Sequence, residues 1–343
     1  MLRGPKYAFR KDPTAVVFAA YTLGHAMSVL LKLAGLAKRA VRRLLSEQSM
    51  GTINYIRSPD RGTGWGPFNG QIARQALFVD IITNTGPHAI VETGTFLGDT
   101  TELMAQTGLP VFTFELDSCN YGYARARFWR TRNVKLFHGD SRTGLRGLFE
   151  GALHSLSSGT LFFYLDAHWS DDLPLAEELD IIFGRCPSAI VMIDDFEVPS
   201  DIGYGYDDYG SGKALVLDYI RPAISTHLLQ PFYPSTPSAA DYPSTPVAAA
   251  GLAAAGRLHR GCVVLAKEAF HGPGLASIPL LRPATEAELK STAASSGECG
   301  IKCATTNSSQ SVAVRALRSP GVRRPPAAQP EPPRSDTPKW EKQ

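Results

Sequence analysis

The sequence predicts an α/β protein built on a doubly wound, mostly parallel sheet, with a helical segment before it and a disordered tail behind. Three observations predict this. Strand-like and helix-like stretches alternate through five units between Trp65 and Asp195. The strand-like stretches are apolar almost throughout, as strands are when helices cover both faces of a sheet. Three of those strands end in acid (Asp166, Asp194 and Asp195 among them), at the edge where such a sheet gathers its ligands.

Taken in order, residues 1–47 form a basic, apolar segment. No acidic residue occurs between Asp12 and Glu47, and "AVVFAAYTLGHAMSVLL" at 15–31 carries no full charge. Three readings of this segment stay open: a helix packed on the main domain or in a homo-oligomer interface, a basic helix lying on a membrane surface through residues 14–46, and a short membrane span or cleaved signal. The main domain is expected over residues 48–285. "GQIARQALFVDIITNTG" has helical spacing and stops at Gly86. "AIVETG" is a buried strand that runs into a glycine turn, and "DTTELMAQTG" restarts a helix with Asp99 or Thr100 as its cap. Strands "VFTFELD", "VKLFHGD", "TLFFYLD" and "AIVMIDD" follow, separated by helices "NYGYARARFWRT", "SRTGLRGLFEGAL" and "LPLAEELDIIFGRC".

Beyond Asp195 the pattern loosens. "SDIGYGYDDYGSG" is a glycine- and tyrosine-rich loop, read as a lid, a substrate wall or a plain surface loop. "KALVLDYIRPAI" is a helix, and "PFYPSTPSAADYPSTPVAAA", which repeats YPSTP nine residues apart, is a duplicated surface loop. "GCVVLAKE" is a last strand. Residues 286–343 turn Ser/Thr-rich and then Pro-rich, a composition that cannot bury a core.

The net charge of +3 is small, and much of its excess sits at the two ends, so nucleic acid is excluded as the main partner. The five cysteines, at 119, 186, 262, 299 and 303, match no zinc spacing and read as reduced thiols of a cytoplasmic protein.

The chemistry lies at the strand ends. Glu92, Gly94 and Gly98 stand between a strand and a helix, where glycine lets backbone approach a ligand and the helix offers free N–H groups. An acid two residues before the first glycine repels a pyrophosphate and suits an ammonium group. Glu115, ending the next strand, is placed to take both hydroxyls of a ribose. An ammonium and a ribose without phosphate describe S-adenosylmethionine. Asp166, Asp194 and Asp195 cost several kcal/mol each to bury alone, so they call for a cation, a donor network or helix-capping duty.

The stretch 70–199 resembles class I SAM-dependent methyltransferases, whose fold is Rossmann-like. Within them it is similar to the metal-dependent O-methyltransferases of the catechol type and to sugar O-methyltransferases of macrolide and aminocoumarin biosynthesis. "VETGTFLGDTT", "VFTFELD", "VKLFHGDS", "YLDAHW" and "MIDDF" carry the resemblance. It implies a cofactor site of Glu92, Gly94, Thr95, Phe96, Gly98, Glu115, Asp140, Ser141 and Trp169, the last stacking on adenine. It implies a divalent cation, usually Mg²⁺, on Asp166, Asp194 and Asp195, with a small-molecule acceptor such as a sugar or glycosylated metabolite. His168, two residues beyond Asp166, is read as the base that takes the acceptor's proton beside Asp166, as a cofactor contact, or as a polar loop residue. "DAHW" departs from both subgroups, because Ala167 intervenes. Two other functions compete: an oxygenase of the cephalosporin-hydroxylase kind, which would need iron on two histidines and a carboxylate, and a non-catalytic SAM-fold scaffold held at a membrane.

Overall fold

The computed structural model describes residues 45–58, 62, 65–168, 172–210, 212–241, 243 and 259–290. Nearly all of the basic apolar segment, Trp169, and the tail from residue 291 lie outside them, as do Cys299 and Cys303. Among the described residues no helix is long and apolar enough to cross a membrane. Cys119, Cys186 and Cys262 are free thiols.

The five expected strands form: β1 (Ile90–Thr93), β2 (Val111–Glu115), β3 (Val134–His138), β4 (Leu161–Leu165) and β5 (Ala189–Asp194). Helices precede, separate and follow them: α1 (Glu47–Arg57), α2 (Ile72–Thr85), α3 (Asp99–Gln106), α4 (Ser118–Phe128), α5 (Ser141–Glu150) and α6 (Leu175–Arg185). The later chain gives β6 (Tyr204–Gly205), α7 (Leu217–His227), β7 (Leu229–Pro234), β8 (His259–Arg260), β9 (Cys262–Lys267), α8 (Glu268–Ala276), β10 (Leu281–Pro283) and α9 (Glu286–Lys290).

The main sheet has eight strands in the order β10-β7-β9-β5-β4-β1-β2-β3. β5-β4-β1-β2-β3 are parallel, while β9, β7 and β10 run antiparallel to their neighbours. The mostly parallel, doubly wound sheet predicted by the sequence is the one observed. Strand alternation splits its core in two. In β4, Leu161, Phe163 and Leu165 pack with Leu145 of α5 and Leu179 and Ile182 of α6. Phe162 and Tyr164 point to the other face, with Leu77, Phe78 and Ile81 of α2 and Leu275 of α8. The order in which strands are added reverses at β1, which has β2 on one side and β4 on the other, while all five strands stay parallel. The chain therefore leaves the carboxyl ends of β1 and β4 toward opposite faces, the place where doubly wound sheets bind their ligands.

Four local expectations are corrected. Neither Asp99 nor Thr100 caps α3. Gly98 holds that place with φ +86°, and Asp99 instead pairs with Arg127 at 2.7 Å. The first copy of the duplicated motif is not a surface loop: Phe232 and Tyr233 are fully buried in β7. Of the second copy only Pro243 is described, bridging to Gln71. Helix α7 starts at Leu217, because Asp208 and Ala214 form an isolated bridge that keeps the preceding residues extended. Residues 286–290, assigned to the tail by the sequence, form α9, with Glu288 bonded to Arg282.

Candidate active site

Parallel pairing of β3, β2, β1, β4 and β5 brings their carboxyl ends to one edge. At the end of β1 the chain turns sharply. Gly94 has φ +90°, and a Cβ there would lie 2.3 Å from the carbonyl oxygen of Asp166, so only glycine lets the turn sit against β4. Phe96 also has a left-handed φ of +50°, and its N–H donates to Glu115 Oε2 at 2.6 Å. The other oxygen of Glu115 accepts from the Asp117 N–H at 2.8 Å. Each carboxylate oxygen therefore keeps a lone pair for a further donor. Burial pushes the Glu115 carboxyl up to about 7.

The remaining cofactor candidates divide. Glu92 is 1% exposed, and its Oε2 accepts from Thr101 at 2.5 Å and Thr113 at 2.6 Å. Thr95 joins the same network through Thr113 at 2.5 Å. The hydroxyls of Thr101 and Thr113 thus give Glu92 Oε2 its donors inside the protein, and the network ties the end of β1 to β2 and α3. Asp140 caps α5 and holds the Arg142 guanidinium at 2.5 Å, which keeps its carboxyl below the usual range. Ser141 is buried at the first turn of that helix.

Beyond β4 and β5 the expected cation triad is rearranged. Asp194 is completely buried and bonded to Arg74 of α2, to Tyr164 at 2.6 Å and to Asn69 at 3.2 Å. It belongs to a donor network and is not brought to the other two aspartates. Asp194 is the last residue of β5, and the chain leaves the strand at Asp195 through a left-handed φ of +53°, so the two side chains go to different neighbours. His168 takes the vacated role in the cluster. One ligand atom each from Asp166, His168 and Asp195 lie within 4.8 Å of one another, the single such group of three among the described residues. His168 is 1% exposed, and its Nε2 is buried with no hydrogen-bond partner, 3.7 Å from Asp166 Oδ1. Burial lowers the imidazole to about 4, so it is neutral near pH 7. Burial and the neighbouring Asp195 raise the Asp166 carboxyl well above its usual range. Burial opposes ionisation of Asp195 too, but Arg260, bonded through Nε at 2.7 Å, holds its carboxyl below that range.

The tyrosine-rich loop is tied to this cluster. Asp207 donates its N–H to the Asp195 carbonyl at 3.0 Å, and its carboxylate pairs with Arg260 Nη2. The Tyr209 hydroxyl contacts Asp207 Oδ2 at 2.7 Å and the carbonyl of His168. The loop is thus a wall of the site. Arg74 and Arg260 were not found by sequence reading. Each stands alone in a helix or a two-residue strand, remote in sequence from the acids it meets. His138, the other strand-end histidine, bonds to Gln48 at 3.4 Å and stacks on Tyr121. The cluster therefore offers one histidine and two carboxylates, not the two histidines an oxygenase triad would use.

No protein-family model matches the chain, and no curated protein matches it. Solved structures do resemble it. A Klebsiella pneumoniae protein provisionally assigned as an O-methyltransferase is 15% identical, with a TM-score of 0.40, over 68% of this chain and 96% of that one. The O-methyltransferase from Bacillus cereus, in complex with SAH, is 15% identical, with a TM-score of 0.37, over 57% and 81%. Cofactor-bound Rv0187 from MTB is 15% identical, with a TM-score of 0.35, over 57% and 79%. Likenesses of this size carry no weight for chemistry. What the site can do follows from its own side chains.

Proposed function

We propose that the protein transfers a methyl group from S-adenosylmethionine to a hydroxyl of a small molecule, with a divalent cation at the acceptor end. One observation carries the reading: a glycine turn after β1, a buried acid ending β2, and a carboxylate–imidazole cluster after β4 and β5 share one edge of a parallel sheet. The turn and Glu115 fit a sulfonium nucleoside. Glu115 has a lone pair left on each oxygen for the two ribose hydroxyls, and glycines 94 and 98 keep side chains away from the path of the chain.

The residues also fit a cation. Hard divalent ions take oxygen ligands with an occasional imidazole, and a buried, unpartnered Nε2 beside two carboxylates is otherwise costly. Asp166, His168 and Asp195 would hold it. When bound, it would orient neighbouring acceptor oxygens and make one of them more acidic. In the transfer, the new O–C bond forms as the C–S bond breaks, and the sulfur leaves as a neutral thioether. The hydroxyl proton must also leave. A base whose basicity is as low as that of His168 is poorly matched to neutral pH, which favours the ligand role for its Nε2. Asp166 has 23% of its side chain exposed, against 2% for His168 and 5% for Asp195, so it is the member that can pass the proton to water. The Tyr209–Asp207 wall bounds the acceptor's side of the site. A sugar or glycosylated metabolite suits such polar walls.

Calorimetric titration of the full chain with S-adenosylhomocysteine tests the reading. Saturable binding is expected, and Glu115→Ala should weaken it by about tenfold or more, since two buried hydrogen bonds would be lost. If the native protein gives no heat of binding with or without Mg²⁺, methyl transfer is ruled out, and a scaffold role becomes the better account.

A further inference from the structure

Arg260 occupies an unusual place. Its Nε donates to Asp195 at 2.7 Å, and its Nη2 bonds Asp207, so one guanidinium edge spans two carboxylates from different segments. Its backbone is held as firmly: the Arg260 N–H donates to Gln71 Oε1 at 3.0 Å, and its carbonyl accepts from Gln71 Nε2 at 3.0 Å. Asp195 is one of the three residues whose ligand atoms converge. The edge of that carboxylate facing Arg260 is therefore already neutralised by a resident cation. Asp207 in turn holds the 203–210 loop, through Tyr209 and through its N–H to Asp195. Asp166, Asp195 and Asp207 face Arg260 here, with Glu92 near Asp166, and Arg74, which pairs with Asp194, acts on Asp166 and Asp195 as well.

We propose that Arg260 is a positioning residue that competes with the divalent cation for Asp195. It holds Asp195 and Asp207 together and so fastens the loop to the site; a cation held by Asp166, His168 and Asp195 would draw Asp195 away from it and loosen the loop. This rests on the cation reading above. It goes further by linking cation occupancy to the order of the acceptor wall, so that the wall is firm when the site is empty of cation and yields once the acceptor's anchor is in place. A purely structural arginine would act differently: its loss would disorder Asp195 and weaken cation binding.

The experiment is a Mn²⁺ titration of the full chain, read by electron paramagnetic resonance of the free ion, for native protein, Arg260→Met and Arg260→Lys. Removing the competing charge should tighten Mn²⁺ binding by about tenfold or more in Arg260→Met, with Arg260→Lys closer to native. Equal or weaker binding in a folded Arg260→Met protein would overturn the proposal while leaving a measurable native affinity, and so the cation reading, intact. No Mn²⁺ binding to any of the three would remove both. A second measurement needs no variant. Hydrogen exchange of the native loop should quicken at residues 205–210 when Mn²⁺ is added, and unchanged or slower exchange there, with Mn²⁺ bound, would overturn the proposal.

Discussion

Asp194 and Asp195 are neighbours in sequence, alike in chemistry, and opposite in use. Asp194 faces the α2 side and is saturated by Arg74, Tyr164 and Asn69. Asp195, at a left-handed φ of +53°, faces Asp166 and His168. Breaking the Arg74–Asp194 pair strands a charge where neither side chain is more than 2% exposed. Asp194→Asn is expected to cost about 3 kcal/mol, since the remaining guanidinium loses its counter-charge. Asp195→Asn should cost less stability and abolish Mn²⁺ binding. Denaturant unfolding and cation titration of the two variants separate these roles, and the same phenotype in both would refute the division. Gly94 makes a second case. A Cβ cannot fit 2.3 Å from the Asp166 carbonyl, so Gly94→Ala must move β4's end or the turn. A loss of about 2 kcal/mol or more is expected in thermal unfolding, with weaker S-adenosylhomocysteine binding. A native melting curve would show that the contact is not tight.

Among elements, the five βα units were legible because their strands are apolar on both faces and stretches of helical spacing separate them. The caps were not: Asp117 and Asp140 cap α4 and α5, and Gly98 stands where Asp99 or Thr100 was expected. β7 and β10 were not legible. β7 contains Pro231 and Pro234, and proline argues locally against a strand. It is a strand because β9 and β10 hydrogen-bond it and because Phe232 and Tyr233 find the core. If β7 is part of the core, Phe232→Ala should cost about 3–5 kcal/mol, as for other buried aromatics. A surface loop would tolerate the change, and a chemical denaturation midpoint distinguishes the two. The sequence left the 203–210 loop open between a lid, a substrate wall and a plain surface loop. Its attachment was not legible, because Arg260 lies about fifty positions away in sequence.

Across the described fold, three buried glutamates contribute to the pH dependence in one direction, and His168, lowered to about 4, contributes in the other. Burial raises Glu92, Glu115 and Glu178 each from an ordinary 4.5 to about 7. Through the glutamates the folded state then binds more protons than the unfolded state between about pH 4.5 and 7, so their contribution to stability falls as pH rises through that window. Glu178, in α6 and 1% exposed, lies outside the candidate binding groups, which makes it the variant of choice. Glu178→Gln should remove part of the slope and raise stability at pH 7.5 more than at pH 5, measured as denaturant midpoints. An unchanged slope would mean that Glu178 ionises without cost in the folded protein.

The sequence by itself determined the doubly wound sheet, the edge at which its acids gather, and which of its acids end strands. These follow from hydrophobic period and glycine turns, both of them local. Only the tertiary structure decided which acids act together. It sent Asp194 to Arg74, turned Glu92 inward to Thr101 and Thr113, brought His168 beside Asp166 and Asp195, and set Arg260 across Asp195 and Asp207. Which donor or counter-charge reaches a buried carboxylate depends on segments far apart in the chain, and no local pattern records that distance.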